Sequence, residues 1–273
     1  MNKLIRFYRL LNILSIDVAT GAVCCAAWFA VLFEVNLRPY ALISLGLTVW
    51  IIYTIDHLLD ARKVKEPAST DRHRFHQENF TLLFGVVVLA IVLDLFFVFF
   101  IRRIVFQSGI ILSCIMVVYF LLQQYLRYFK EFIIAILFSC GVMLPSWALA
   151  PIRPDVELTL LISQFILTAL LNLLLFSWFD RHNDRQDKRE SFVTLIGDVK
   201  TKRILGLLFI VNALLLIGSI LYSPQVIYQV LIIFLMNAIL ALVYVQRERF
   251  EVNDRFRLVG DSIFLLPLLY LWM

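Results

Sequence analysis

Two short stretches carry carboxylates where an apolar helix should have none. The first is YTIDHLLDARK, residues 53–63, at the tail of the run ALISLGLTVWIIYTIDHLL. The second is LLNLLLFSWFDRHNDRQD, residues 170–187. Each contains D-x-x-x-D, as Asp56/Asp60 and as Asp180/Asp184. Residues four apart share one helical face, so each pair points one way. A carboxylate held in a membrane segment costs roughly 3 kcal/mol on insertion scales, so such acids need a partner or a task. Four of them at one surface repel unless a cation joins them. Hard oxygen donors on two helices suit magnesium, whose shell is usually completed by water and substrate phosphates. Around them stand Arg62, Lys63, Lys65, Arg72, Arg74, Lys188 and Arg189, cations that fit phosphate oxygens. A diphosphate head at the surface with a hydrocarbon tail below it is a prenyl diphosphate. Two other readings fit the same acids: ordinary interfacial residues at helix ends, or a cation pathway in a transporter.

The elements that must position these residues are membrane helices. The chain has 273 residues, 62% of them hydrophobic, and a mean hydropathy of +0.87, far above a soluble composition. Nine apolar runs approach the length needed to span a bilayer: 12–33, 40–59, 80–100, 104–122, 131–150, 158–179, 203–221, 226–246 and 257–272. No soluble domain fits between them, which predicts an all-α bundle of nine transmembrane helices and a single domain over 1–273. Asn12, Ser15 and Asp17 interrupt the first run, so it reads as an uncleaved first helix and not as a signal peptide. KRESFVTLIG reads as a short interfacial segment closed by Gly197.

Charge assigns the sides. With the N-terminus in the cytoplasm, 21 of the 25 Lys and Arg residues fall on inner segments, and four fall on outer ones (Arg38, Arg102, Arg103 and Arg153). That asymmetry is what the positive-inside rule requires, so the sequence predicts the N-terminus inside and the C-terminus outside. The loops at about 56–79 and 180–203 then face the cytoplasm. The expected setting is a multi-pass protein of a bacterial inner membrane.

Other candidates are weaker. His73 and His76 with His57 invite thoughts of zinc, but no Cys or Glu completes a ligand set. Cys24, Cys25, Cys114 and Cys140 lie in apolar runs without ligand spacing. Asp17 is placed to face the cavity, and Asp94 to pair with Arg102 or Arg103. No Gly-rich phosphate loop or nucleic-acid motif is present, and the basic loops suit diphosphate or anionic lipid, not nucleic acid.

These residues resemble the UbiA superfamily of intramembrane prenyltransferases. Its first motif, N-D-x-x-D-x-x-x-D, falls on DHLLDARKV at 56–64. Asp56 then takes the Asn place, His57 and Val64 replace acids, and Asp60 keeps one. Asp180, Asp184, Ser191 and Gly197 match the second motif, although Lys188 stands where many members have Gly. Arg9 and Asn12 resemble the family's R-x-x-N. The resemblance implies nine helices and magnesium on Asp56, Asp60, Asp180 and Asp184. It implies substrate contacts from Arg72, Lys188, His57, Asn12 and Asn172, with Arg72 and Lys188 assisting at the diphosphate, and an aromatic wall of Tyr53, Phe176 and Trp178. The reaction it implies is transfer of a prenyl group to a hydrophobic acceptor, typically an aromatic ring. A silent relative that only binds isoprenoids stays open beside it.

Overall fold

In lipid every backbone polar group must be satisfied within the protein, which leaves helices or a closed barrel. The computed structural model takes the first course. It describes residues 3–63, 68, 70–123, 125–126, 128–151, 155–187 and 190–272, and among these there is no strand.

The helices are α1 (Lys3–Ile13), α2 (Ile16–Leu32), α3 (Pro39–Lys63), α4 (Asp71–Glu78), α5 (Phe80–Val98), α6 (Arg103–Leu122) and α7 (Lys130–Leu149). Then come α8 (Val156–Gln186), α9 (Phe192–Ile196), α10 (Asp198–Tyr222), α11 (Ile227–Val245), α12 (Arg247–Glu251), α13 (Arg255–Ser262) and α14 (Pro267–Leu271). Seven of them, α3, α5, α6, α7, α8, α10 and α11, are long and apolar enough to cross a membrane. The chain is an integral, multi-pass membrane protein.

The count differs from the nine spans expected. The first run, 12–33, is the last residues of α1 and the whole of α2, two helices turned by 80° to one another. Ser15 sits at the bend with φ 56, in the left-handed region that interrupts a right-handed helix. The run 257–272 is α13, a 3-10 turn at Ile263–Leu265, and α14, not one continuous helix. Pro267 opens α14, and a residue without an N–H suits a helix start better than its middle.

Packing separates lipid-facing from core helices. The apolar windows of α5 and α6 are only 17% and 11% buried, and that of α8 is 56% buried. Such exposed Leu, Val and Ile faces would be a liability in water and are natural in lipid. At the core, Trp28 and Phe29 of α2 meet Phe165 of α8, with Phe29 edge-on to Phe165 at 5.1 Å between centroids. Gly21 lets the 3-10 turn approach α2, because a Cβ there would lie 2.8 Å from Phe264 Cβ. Hydrophobicity cannot drive helices together in lipid, so polar side chains bind them. Asn237 of α11 donates to Thr168 of α8 at 2.9 Å, and its Oδ1 accepts from Asn212 of α10 at 2.9 Å.

Candidate active site at the charged end of the bundle

The end of α3 presents the first acidic pair. Asp56 and Asp60 share the ammonium of Lys130, which opens α7 and lies 3.2 Å from Asp56 and 3.1 Å from Asp60. Gln123 also donates to Asp56 at 2.7 Å. The pair therefore points one way, as its spacing requires, and gathers around a positive charge.

Beside it lies a buried polar cluster joining α1, α2, α4 and α13. Asn12 Nδ2 donates to Asp17 at 2.6 Å and to Asp261 at 2.7 Å. Arg72 donates to Asn12 Oδ1 at 2.8 Å and to its carbonyl at 3.0 Å, and lies 3.7 Å from Asp261. Burial, and after it the charge of Arg257, holds the Arg72 guanidinium below its ordinary value, while Asp261, Asp17 and Asp180 pull it back. Thr70 positions α4 as its N-cap, accepting from His73 N–H. The His57 ring lies 5.2 Å from that of His76 and 6.3 Å from that of His73. His57 Nε2 faces Arg72 at 3.4 Å, His73 Nδ1 faces Thr70 at 2.7 Å, and His76 Nδ1 faces the Arg72 carbonyl at 2.8 Å.

The second pair rides on α8, the longest helix. Arg257 of α13 ion-pairs with Asp180. Its guanidinium also lies over the rings of Phe176 and Phe256, 5.5 and 5.3 Å from their centroids. Asp184 is one turn further on and partly buried. Arg72, seated beside His57 of the first motif, feels the charge of Asp180 of the second and, more strongly, that of its partner Arg257.

The donor chemistry suits magnesium in one respect. Each pair offers hard oxygens on one helical face, and the first already encloses a cation. Among the described residues, however, no three His, Cys, Asp or Glu side chains are grouped closely enough to hold an ion unaided. The arrangement fits an ion whose shell substrate phosphates complete, not a closed protein cage.

A cavity of about 340 Å³ begins at Asp56 and Tyr53 and runs between α3, α5, α6 and α7. Of the four aspartates, Asp56 alone lines it.

No protein-family model and no curated protein matches the chain by sequence. Solved structures do match its backbone. A UbiA homolog from Archaeoglobus fulgidus, bound to GPP and Mg2+, superposes with a TM-score of 0.67 at 12% identity, over 96% of this chain and 99% of that one. The same homolog bound to DMAPP and Mg2+ gives 0.64, again at 12% identity and over 96% and 99% of the two chains. A digeranylgeranylglyceryl phosphate synthase gives 0.56 at 12% identity, over 97% of each chain. The chain has the UbiA fold.

Within the UbiA fold, the residues singled out from sequence fall into two groups. Asp56, Asp60, His57, Arg72 and Asn12 come together, joined by Lys130 and Asp261. Asp180 and Phe176 come together around Arg257. Asn172 is buried on the same helix as Phe176, and both pack on Gly260, where a Cβ would collide with them. Trp178 departs from expectation. Two residues from Asp180, it faces another side of α8, where its Nε1 donates to Asp198 at 2.7 Å. Arg247, Arg181 and Lys202 surround its ring at 4.8, 5.4 and 5.8 Å. Asp94 also departs: it accepts from Thr48 at 2.8 Å and makes no ion pair with Arg102 or Arg103 among the described residues. Its helix ends before that turn, and its carboxyl faces α3. Val64, Lys65, Lys188 and Arg189 lie outside the described residues.

Lys130, Arg257 and Asp261 were not singled out from sequence as site residues. Asp261 had a signal, because an acid inside the run 257–272 poses the same cost as Asp56. Lys130 and Arg257 had none beyond counting toward the inner charge.

Proposed function

We propose that the chain transfers a prenyl group from a prenyl diphosphate to a hydrophobic acceptor, with magnesium. The carrying observation is the conjunction of the UbiA fold with two D-x-x-x-D turns, one held by Lys130 and the other meeting Arg257 at Asp180, and an apolar cavity that begins at Asp56. The binding of GPP, DMAPP and Mg2+ by the matching homolog supports the substrate class.

Asp56 and Asp60, with Asp180 and Asp184, would hold magnesium, and when bound it supplies neutralisation of the charge that develops on the leaving diphosphate. The chain's own residues do the rest. Arg72 is held in place by Asn12 and presents a planar donor fork to phosphate oxygens. Arg257 and Lys130, each already bonded to a carboxylate of the site, bind further oxygens as the diphosphate displaces part of those contacts. Tyr53 faces both Asp56 and the cavity, so its ring flanks the allylic carbon as the C–O bond breaks. A cation over an aromatic face gains about 0.5–2 kcal/mol, enough to steer it but not to supply most of the rate. The apolar wall excludes water, which keeps the cation for the acceptor.

A second reading, binding without turnover, draws on Lys130 and Arg257 already pairing with three of the four aspartates and on His57 standing in an acidic place. One experiment separates them. Purified protein given geranyl diphosphate, magnesium and a panel of hydroxylated aromatic acceptors should release diphosphate and form prenylated product. Retention of geranyl diphosphate without release supports the binder.

A further inference from the structure

The cavity holds a polar feature, Asp94, that diphosphate chemistry does not use. Its wall is apolar along most of its length, from Tyr53 through Leu95, Phe106 and Ile110 to Pro145. α5 packs on α3, and α6 on α7, but α5 and α6 barely touch one another. Leu95 of α5 and Ile110 of α6 line the cavity and are still about half exposed, at 59% and 46%. The cavity therefore meets lipid between these two helices.

Asp94 lies in this wall. Thr48 donates to its Oδ2 at 2.8 Å. Its Oδ1 is buried and accepts no hydrogen bond. Ser44, one turn along α3, reaches the same carboxyl and lines the same cavity. Binding α5 to α3 explains Oδ2 alone, and an Asn or Ser would do that without an ionisable group. In hydrocarbon no water reaches an unpaired acceptor, so leaving one is costly. Thr48 lies eight residues from Asp56 on α3, which sets this station about 12 Å from the diphosphate end. It is too far away to touch phosphate.

We propose that Asp94, with Thr48 and Ser44 beside it, is a binding station for a hydroxyl-bearing hydrocarbon, a long-chain alcohol that enters from lipid between α5 and α6. Its O–H donates to Asp94 Oδ1, and its chain lies along the apolar wall. The station needs neither metal nor diphosphate, so it stands independently of the prenyl-transfer reading.

The test uses the full chain in nanodiscs, without magnesium and with chelator present, and measures saturable binding of radiolabelled 1-dodecanol and dodecane. Wild type should bind dodecanol saturably. Asp94→Leu should weaken it about tenfold, the effect of one lost hydrogen bond to a buried acceptor, and leave dodecane unchanged. Asp94→Asn keeps a side-chain acceptor and should retain most of the binding. Ile110→Trp, at a partly exposed position on α6, should obstruct the opening and reduce both probes without touching the carboxyl. Equal dodecanol binding by wild type and Asp94→Leu, equal affinity of wild type for alcohol and alkane, or indifference to Ile110→Trp would each overturn the proposal.

Discussion

Asn12 shows how much one amide holds at this site. Its Nδ2 sits between the carboxylates of Asp17 and Asp261, and its Oδ1 anchors Arg72. All four side chains are buried. Asn12→Leu keeps the volume but leaves two acids facing each other and a guanidinium short of an acceptor. Buried unsatisfied charged groups cost about 3 kcal/mol or more, so the variant should unfold several degrees lower in detergent. An unchanged melting temperature would contradict the assignment of Asn12 as the keystone of this cluster. His57→Asp works in the opposite sense. It places a carboxylate beside Arg72 and one residue from Asp56, so it should tighten Mn2+ binding, read by electron paramagnetic resonance. Equal or weaker binding would show that position 57 stands outside the ion's reach.

Between helices, polar bonds replace the hydrophobic drive that lipid removes. Asn237 joins α11 to α8 and α10 through Thr168 and Asn212. Such bonds in membrane proteins average about 0.6 kcal/mol and reach about 1.7, so Asn237→Leu should cost within that range in a denaturant titration. A cost above about 3 kcal/mol would point to packing and not to the hydrogen bonds. Gly260 poses a different constraint, since a Cβ there would strike Phe176 and Asn172. Gly260→Ala should force α13 off α8 and carry Arg257 with it, weakening geranyl diphosphate binding more than an equally destabilising change far from the site. The sequence made the long helices readable, because a 20-residue apolar run has few other fates. It marked an interruption at Asn12, Ser15 and Asp17 but did not show that the helix turns there, nor that the last run breaks. Ser15 takes the left-handed region, and the turn at Ile263–Leu265 packs against Gly21 of α2 and Phe138 of α7, which no periodicity records. At the site, the D-x-x-x-D spacing announced itself, whereas Lys130 and Arg257 looked like any other inner charges until the fold brought them to the aspartates. Trp178 was misplaced because aromatic type alone does not say which face of α8 it occupies.

For the whole molecule, the charge split alone predicts an orientation, and the fold gathers the site at one end. The acidic turns of α3 and α8 share their end of the bundle with α4, Lys130 and Arg257. We propose, from the 21-to-4 split of cations that the positive-inside rule reads, that this end lies in the cytoplasm. Reporter fusions after residues 70 and 190 should read cytoplasmic, and fusions after 36 and 154 external; reversal would remove the site from the compartment assigned to it. Transport is the remaining use for membrane carboxylates, and vesicle flux without chemical change in any isoprenoid would favour it. The central claim is that the two aspartate turns serve one reaction. Its most direct measurement is diphosphate release from geranyl, farnesyl and geranylgeranyl diphosphates, with and without magnesium, by wild type, Asp60→Asn and Asp184→Asn. We predict magnesium-dependent release by wild type with at least one donor, and loss of about a hundredfold or more in each variant without loss of fold. No release and no magnesium-dependent binding by wild type, or full activity in both variants, would contradict the account.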